Sequence, residues 1–136
     1  MSQTQLFACL RYRDADAALT FLGALGFEER LVIRDEADPR VIHHAQLRWR
    51  ETGGVMLGSV REDDLDADRG FTVHAGTATT NLVVASDDEV DQVLERAVAA
   101  GASVVQEPSS PPHGGRAAMV RDAEGNLWNI DSYAGE

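Results

Sequence analysis

The feature of this sequence that most restricts its fold is an internal repeat. Residues 5–12, QLFACLRY, form a short apolar run of strand type. Asp14 stands at the N-cap position, where its side chain can accept from the free amides of a first helical turn. Ala15, Ala18, Leu19, Leu22 and Leu25 then recur at helical spacing, and Gly26 supplies a left-handed stop. Three strand-like runs follow, EERLVIRD, VIHHAQLRWR and GGVMLGSV, divided by the turn-forming DEADPR and ETGG. The second half repeats this order. TTNLVVAS is its strand, and Ser86-Asp87-Asp88-Glu89 is a capping box. Val90, Val93, Leu94, Ala97 and Val98 form the apolar stripe, and Gly101 is the stop. ASVVQEP, RAAMVRD and NLWNIDSY complete the set. Each half therefore reads βαβββ.

One such module leaves a sheet face bare, because its single helix can cover only the other. Two modules together predict an α+β fold: a cupped, eight-stranded mixed sheet with helices outside and a cavity inside. The expected layout is one domain over residues 1–136. Module one spans 4–60, an acidic linker 61–78 and module two 79–134. The linker's REDDLDADRG lacks any apolar period and reads as exposed.

With 136 residues, 43% of them apolar, one compact core is within reach. The opening MSQTQLFACL is too short and too polar to read as a signal peptide, and no apolar run nears the ~20 residues of a membrane span. A single cysteine, Cys9, excludes an internal disulfide and fits a reducing, cytoplasmic setting. Twelve basic against 23 acidic side chains give a net charge of −11. Such a surface repels nucleic acid and attracts a cationic ligand, or serves solubility alone.

Three segments, in order, resemble the vicinal oxygen chelate superfamily of glyoxalases, bleomycin-resistance proteins and dioxygenases. GGRAAMVRDAEGNLWNIDSY is similar to that group's C-terminal GGR…DPEGNLW segment. RYRDADAALTFLGALGFEE resembles its strand-to-helix entry, and HAQLRWRETGGVMLGS the hairpin closing its first module. The resemblance implies a glyoxalase/bleomycin-resistance fold, a small-molecule ligand and a homodimer, with modules paired within or across chains. It also assigns the superfamily's metal-ligand positions to Phe7, Leu57, Asn81 and Asn129. Phe7 and Leu57 carry no donor atom, and neutral amides are poor ligands for zinc, nickel or iron(II). The expectation is thus no metal and no cofactor, closest to the metal-free bleomycin-resistance group. His43 and His44, as strand neighbours, are expected on opposite faces. His74 and His113 fall in or beside loops.

Strand alternation supplies the rest of the expected cavity. Gln5, Phe7, Cys9 and Arg11 face inward on the first strand, His44, Gln46 and Arg48 on the third, and Leu127, Asn129 and Asp131 on the last. Such a lining suits hydrogen-bonded recognition of a small organic molecule. Cys9 is either a soft ligand or nucleophile, or a small apolar filler. Trp49, Trp128 and Tyr133 either stack on a planar ligand or, as for Trp128, belong to the core. Arg116, behind Gly114 and Gly115, either holds a ligand carboxylate or phosphate or pairs with the acidic surface. The function expected is sequestration of a small molecule, such as a cationic antibiotic. The alternative is a glyoxalase-like lyase or other enzyme working by metal-free acid–base chemistry through His44. A third reading retains the fold around a collapsed cavity, as a regulator or scaffold.

Overall fold

A computed structural model describes residue 4 and residues 6–135 of the chain. Two compact units divide it, one ending at Gly76 and one beginning at Thr77. In the first, β1 (Ala8–Tyr12), α1 (Ala15–Leu25), β2 (Glu28–Arg34), β3 (Ile42–Trp49) and β4 (Gly53–Ser59) follow one another. In the second, β5 (Thr79–Val83), α2 (Asp87–Ala99), β6 (Ser103–Ser109), β7 (Ala117–Arg121) and β8 (Leu127–Asp131) repeat that order. The eight strands form two four-stranded mixed sheets, ordered β1-β4-β3-β2 and β5-β8-β7-β6. In each, the first strand runs parallel to the last, and the other pairings are antiparallel.

The helix boundaries follow from local chemistry. Asp14 caps α1 by accepting from the Ala17 amide at 3.0 Å. Gly26, at φ 123°, ends the helix in a conformation that a side chain would strain. Ser86 caps α2 by accepting from the Glu89 amide, while the Glu89 carboxylate takes the Ala85 N–H. That is the reciprocal logic of a capping box, displaced by one residue. α2 stops at Gly101 as expected: at φ 105° it donates to the Val98 carbonyl while Ala102 donates to Ala97, the left-handed glycine stop.

One face of each sheet is covered by its own helix. Leu10 and Tyr12 of β1, Ala45, Leu47 and Trp49 of β3, and Val55 and Leu57 of β4 are buried with Leu22 and Leu25 of α1. In the second unit, Leu82, Ala118, Val120, Trp128 and Ile130 are buried with Val90, Val93 and Ala97 of α2. Each fully buried aliphatic side chain contributes about 1.5–3 kcal/mol. The edge strands β2 and β6 are mostly exposed. Pro108, in β6, sits on an edge, where its missing N–H costs no ladder bond.

Trp128 belongs to the core, fully buried, with its indole N–H donating to Asp122 at 3.0 Å. Asp122 also accepts from the Glu124 and Asn126 amides, so one carboxylate organises the D-A-E-G-N turn and anchors β8 beneath α2. Trp128→Phe should leave a buried acceptor without the indole donor and, because phenyl is smaller than indole, a cavity in the core. The expected loss, about 1–3 kcal/mol from the hydrogen bond alone and more with the cavity, is measurable by chemical denaturation, with far-UV circular dichroism unchanged.

Candidate functional site

The open face of the first sheet carries three transverse rows of side chains. Cys9, Met56 and Gln46 form the middle row by direct strand pairing. To one side stand Phe7, Gly54 and Arg48; to the other, Arg11, Gly58 and His44. A methyl group on Gly54 would lie 2.6 Å from the Phe7 ring, so the glycine makes room for that ring. A methyl group on Gly58 would lie 3.0 Å from Nη1 of Arg11, so the guanidinium rests across this second glycine. Isolated glycines inside a strand mark such close approaches.

Five of the expected inward residues, Phe7, Cys9, Arg11, His44 and Gln46, share this face. Arg48 shares it too, but its Nη2 donates to the Glu51 carbonyl at 2.9 Å, which turns it toward the β3–β4 hairpin. Gln5 lies outside the described residues. Leu57 is corrected. Its strand partners are Leu10 and Ala45, and it is 2% exposed, so its side chain belongs to the buried, helix-side row. Met56 holds the outward position that the sequence motif had placed one residue later. Leu57 still borders the cavity described below, from the sheet's floor.

A second correction concerns the histidines. The β2–β3 register shifts between Ile33 and Arg34, opposite Ile42 to His44. Ile42 and Ala45 are both buried while His43 and His44 are not, so the irregularity interrupts simple alternation. Both histidines line one cavity. His43 Nε2 lies 3.0 Å from Asp35, whose carboxylate also accepts from the Asp38 and Ala37 amides. Those amide bonds, the Asp38 one foremost, and His43 hold the Asp35 carboxyl below its ordinary range. No hydrogen bond to the His44 ring is found among the described residues.

The segment expected to be an exposed linker is instead packed at Asp64. This residue is 1% exposed, and its carboxylate accepts from the Arg61 amide at 2.7 Å and lies 3.4 Å from Nε of Arg11. Its carbonyl accepts from the Val73 amide. A short 3-10 turn, Ala67–Arg69, lies between these anchors. Arg61 and Val73 are thereby brought to the open sheet face, enclosing a cavity of 310 Å³ with Cys9, Arg11, His44 and Met56. Arg61, Met56, Val73 and His43 were not expected there. Gly58 was the available signal for a close approach, whereas nothing in REDDLDADRG marks which acid is buried.

On the second sheet, Asn81, Asn129 and Met119 form one row of the open face. Asn129 donates its amide N–H to the Asn81 carbonyl oxygen at 2.5 Å. Asp131 is in the adjacent row, but it is buried and accepts from the Tyr133 amide at 2.8 Å. Tyr133 stacks edge-on against His113 at 4.9 Å. Arg116 departs from the ligand-binding expectation. Its Nε and Nη2 donate to both oxygens of Asp91 on α2, at 3.2 and 3.0 Å, which raises its pKa further. Of its two alternatives, pairing with acidic side chains is the one observed. Among the described residues, no three His, Cys, Asp or Glu side chains converge on a point where a metal ion could sit.

A family model for the Glyoxalase/Bleomycin resistance protein/Dioxygenase superfamily matches residues 4–130. The chain belongs to this superfamily. Among solved structures, TioX from Micromonospora sp. ML1 is 29% identical, with 96% of this chain and 98% of that chain covered at a TM-score of 0.69. A glyoxalase-related enzyme from Fulvimarina pelagi is 27% identical, covering 93% and 87% at 0.64. Lactoylglutathione lyase from Agrobacterium tumefaciens, at 19% identity, 96% and 91% coverage and 0.64, shares the fold. No curated protein matches the chain. No helix among the described residues is long and apolar enough to cross a membrane.

Because Arg116 is engaged by α2, Arg116→Gln should lower stability only slightly, as for other solvent-screened ion pairs. It should leave any small-molecule affinity of the protein unchanged. Denaturation and calorimetric titration measure the two quantities separately.

Proposed function

We propose that this member of the superfamily binds a small organic molecule in the cavity on the open sheet face of its first module and needs no metal ion to do so. The observation that carries the reading is the 310 Å³ cavity itself, within the size range of small-molecule sites and walled by both polar and apolar groups. The donor chemistry supports its independence from metal. Of the four positions that the resemblance assigns to metal ligands, Phe7 offers a ring packed on Gly54, and Leu57 is buried toward α1. Met56, which takes the outward place beside it, offers a thioether. Asn81 and Asn129 are bonded to each other. A divalent ion losing its water needs anionic or imidazole donors, and this set supplies none.

Sequestration of a ligand requires only a cleft and selective contacts, so no catalytic residue is needed. A homodimer in the cytoplasm completes the reading, carried by the resemblance and by cysteine usage. The net charge of −11 favours the approach of cations, including cationic antibiotics. The cavity's own lining favours the opposite sign.

The second reading is a lyase or isomerase using His44 for proton transfer, and its place on the cavity wall favours that role. A general base of this type is ordinarily oriented by a hydrogen-bonded partner, and no bond to the ring is found among the described residues. His44→Gln separates the two readings: ligand affinity retained with no turnover to lose supports binding alone.

Metal analysis of freshly purified protein is expected to give well below one equivalent of zinc, nickel or iron. Chelator dialysis should leave both melting temperature and ligand affinity unchanged. A stoichiometric metal whose removal abolishes binding would end the metal-free reading.

A further inference from the structure

We infer that the first module's cavity is an oxyanion site: it takes the anionic end of a small organic acid, with the apolar body laid against Met56 and Val73. This rests on the reading of that cavity as the ligand site and adds the ligand's charge. Two of the chain's twelve basic side chains, Arg11 and Arg61, and two of its four histidines surround one cavity in a protein carrying −11 overall. Such local clustering runs against the bulk composition.

The state of Arg11 is the central observation. Its side chain is 21% exposed, so most of it is withdrawn from water. Nε lies 3.4 Å from Asp64, close enough for an ion pair but not an aligned hydrogen bond. Both terminal amino groups lack any bond to a described residue, and Nη1 lies across Gly58 at the cavity. A guanidinium presents five donors in a planar fork; Nε is buried without a hydrogen bond, and the terminal amino groups remain available to donate into the cavity. The oxygens of a carboxylate or phosphate match that fork with two parallel, charge-assisted bonds. Asp64 does not saturate it, since it approaches only Nε, at 3.4 Å and without a hydrogen bond.

Arg61 supplies the second cation. Its backbone is fixed by Asp64, but its guanidinium has no ion-pair partner among the described residues. Other arginines are committed elsewhere: Arg30 to Glu28, Arg34 to Asp16, Arg40 to Asp38 and Arg116 to Asp91. Of the carboxylates near the cavity, Asp64 faces Arg11, and Asp35 faces His43. No acid in the lining is left to hold a ligand cation. The remaining wall, Cys9, Met56 and Val73, is apolar or polarizable and suits a single ring or short chain.

Calorimetric titration with four probes of one shape tests the charge: phenyl phosphate, benzoate, benzyl alcohol and benzylamine. The two anions should bind, roughly tenfold or more tighter than the neutral and cationic probes, with affinity falling as salt is raised. Arg61→Ala should weaken anion binding about tenfold, the loss of one charge-assisted contact. Gly58→Ala, whose methyl group would crowd Nη1 of Arg11 together with the His43 and Ile42 carbonyls, should weaken it as well, and melting temperatures check that both variants fold. Should Gly58→Ala fail to fold, Arg61→Ala decides alone.

If benzyl alcohol or benzylamine binds as tightly as phenyl phosphate, the charge assignment falls while the small-molecule reading stands. If the anions bind equally well to wild type and both folded variants, they bind elsewhere, and the assignment also falls. If none of the four binds at about millimolar concentration, both readings fall together.

Discussion

The cavity of the first module exists because one carboxylate, Asp64, is buried on the open face of the sheet. Desolvating an acid costs several kcal/mol, and the cost is offset only by good local geometry. Here the Arg61 amide provides a hydrogen bond, and the Arg11 guanidinium, 3.4 Å away, a compensating charge. The consequence is architectural. With Asp64 fixed, the chain is held at the sheet face at Arg61 and at Val73, which is bonded to the Asp64 carbonyl. A bare, partly polar sheet face becomes a walled space. The same contact that builds the wall leaves the far end of Arg11 short of acceptors, so structure and binding chemistry share one residue.

Much of the fold was legible because its signals are local. Capping residues, glycine stops and apolar periods specify both helices, and the repeated order specifies two similar sheets. The helix-side rows were equally legible, since Ala45, Leu47 and Trp49 alternate with polar neighbours. The open face was harder to read. GGVMLGSV offers apolar residues on both sides of the strand, so alternation does not choose between Met56 and Leu57; pairing with Leu10 and Ala45 does. His44 faces the cavity as alternation predicts, but His43 joins it there because a register shift in the β2–β3 ladder has no signature in VIHHAQLRW. Asp64 was invisible for another reason. Among the acids of REDDLDADRG, burial is decided by a cation more than fifty residues earlier in the chain, and a local pattern carries no trace of that.

The two modules share topology down to irregular edge pairings, in β2 with β3 and in β6 with β7. Their covered faces are interchangeable in kind, each a layer of branched aliphatic and aromatic groups beneath one helix. Their open faces have diverged completely. The first presents arginine, imidazole, thiol and thioether groups, and the second a self-satisfied pair of amides beside Met119. The covered face is constrained by packing density, where a lost methylene is felt at once. The open face bears no such constraint, which leaves it free to acquire chemistry. Superfamily membership therefore fixes the scaffold and leaves the job to these few outward residues.

The contrast between an acidic protein and a basic cavity also bears on kinetics. Long-range potential acts on diffusional encounter and is screened beyond about 8 Å at physiological ionic strength. Contacts inside a partly enclosed site are screened far less. An anion approaching a surface of −11 meets net repulsion until it reaches the cavity mouth, where Arg61 is exposed. Once inside, it meets Arg11 in a region where water competes poorly for the guanidinium. Association is slowed by the first effect and dissociation by the second. Raising the salt concentration relaxes the surface repulsion while weakening the exposed Arg61 contact, and it affects the less exposed Arg11 contact least. A site of this construction discriminates through residence time rather than capture rate, and its selectivity rests on the side chain that is least open to solvent.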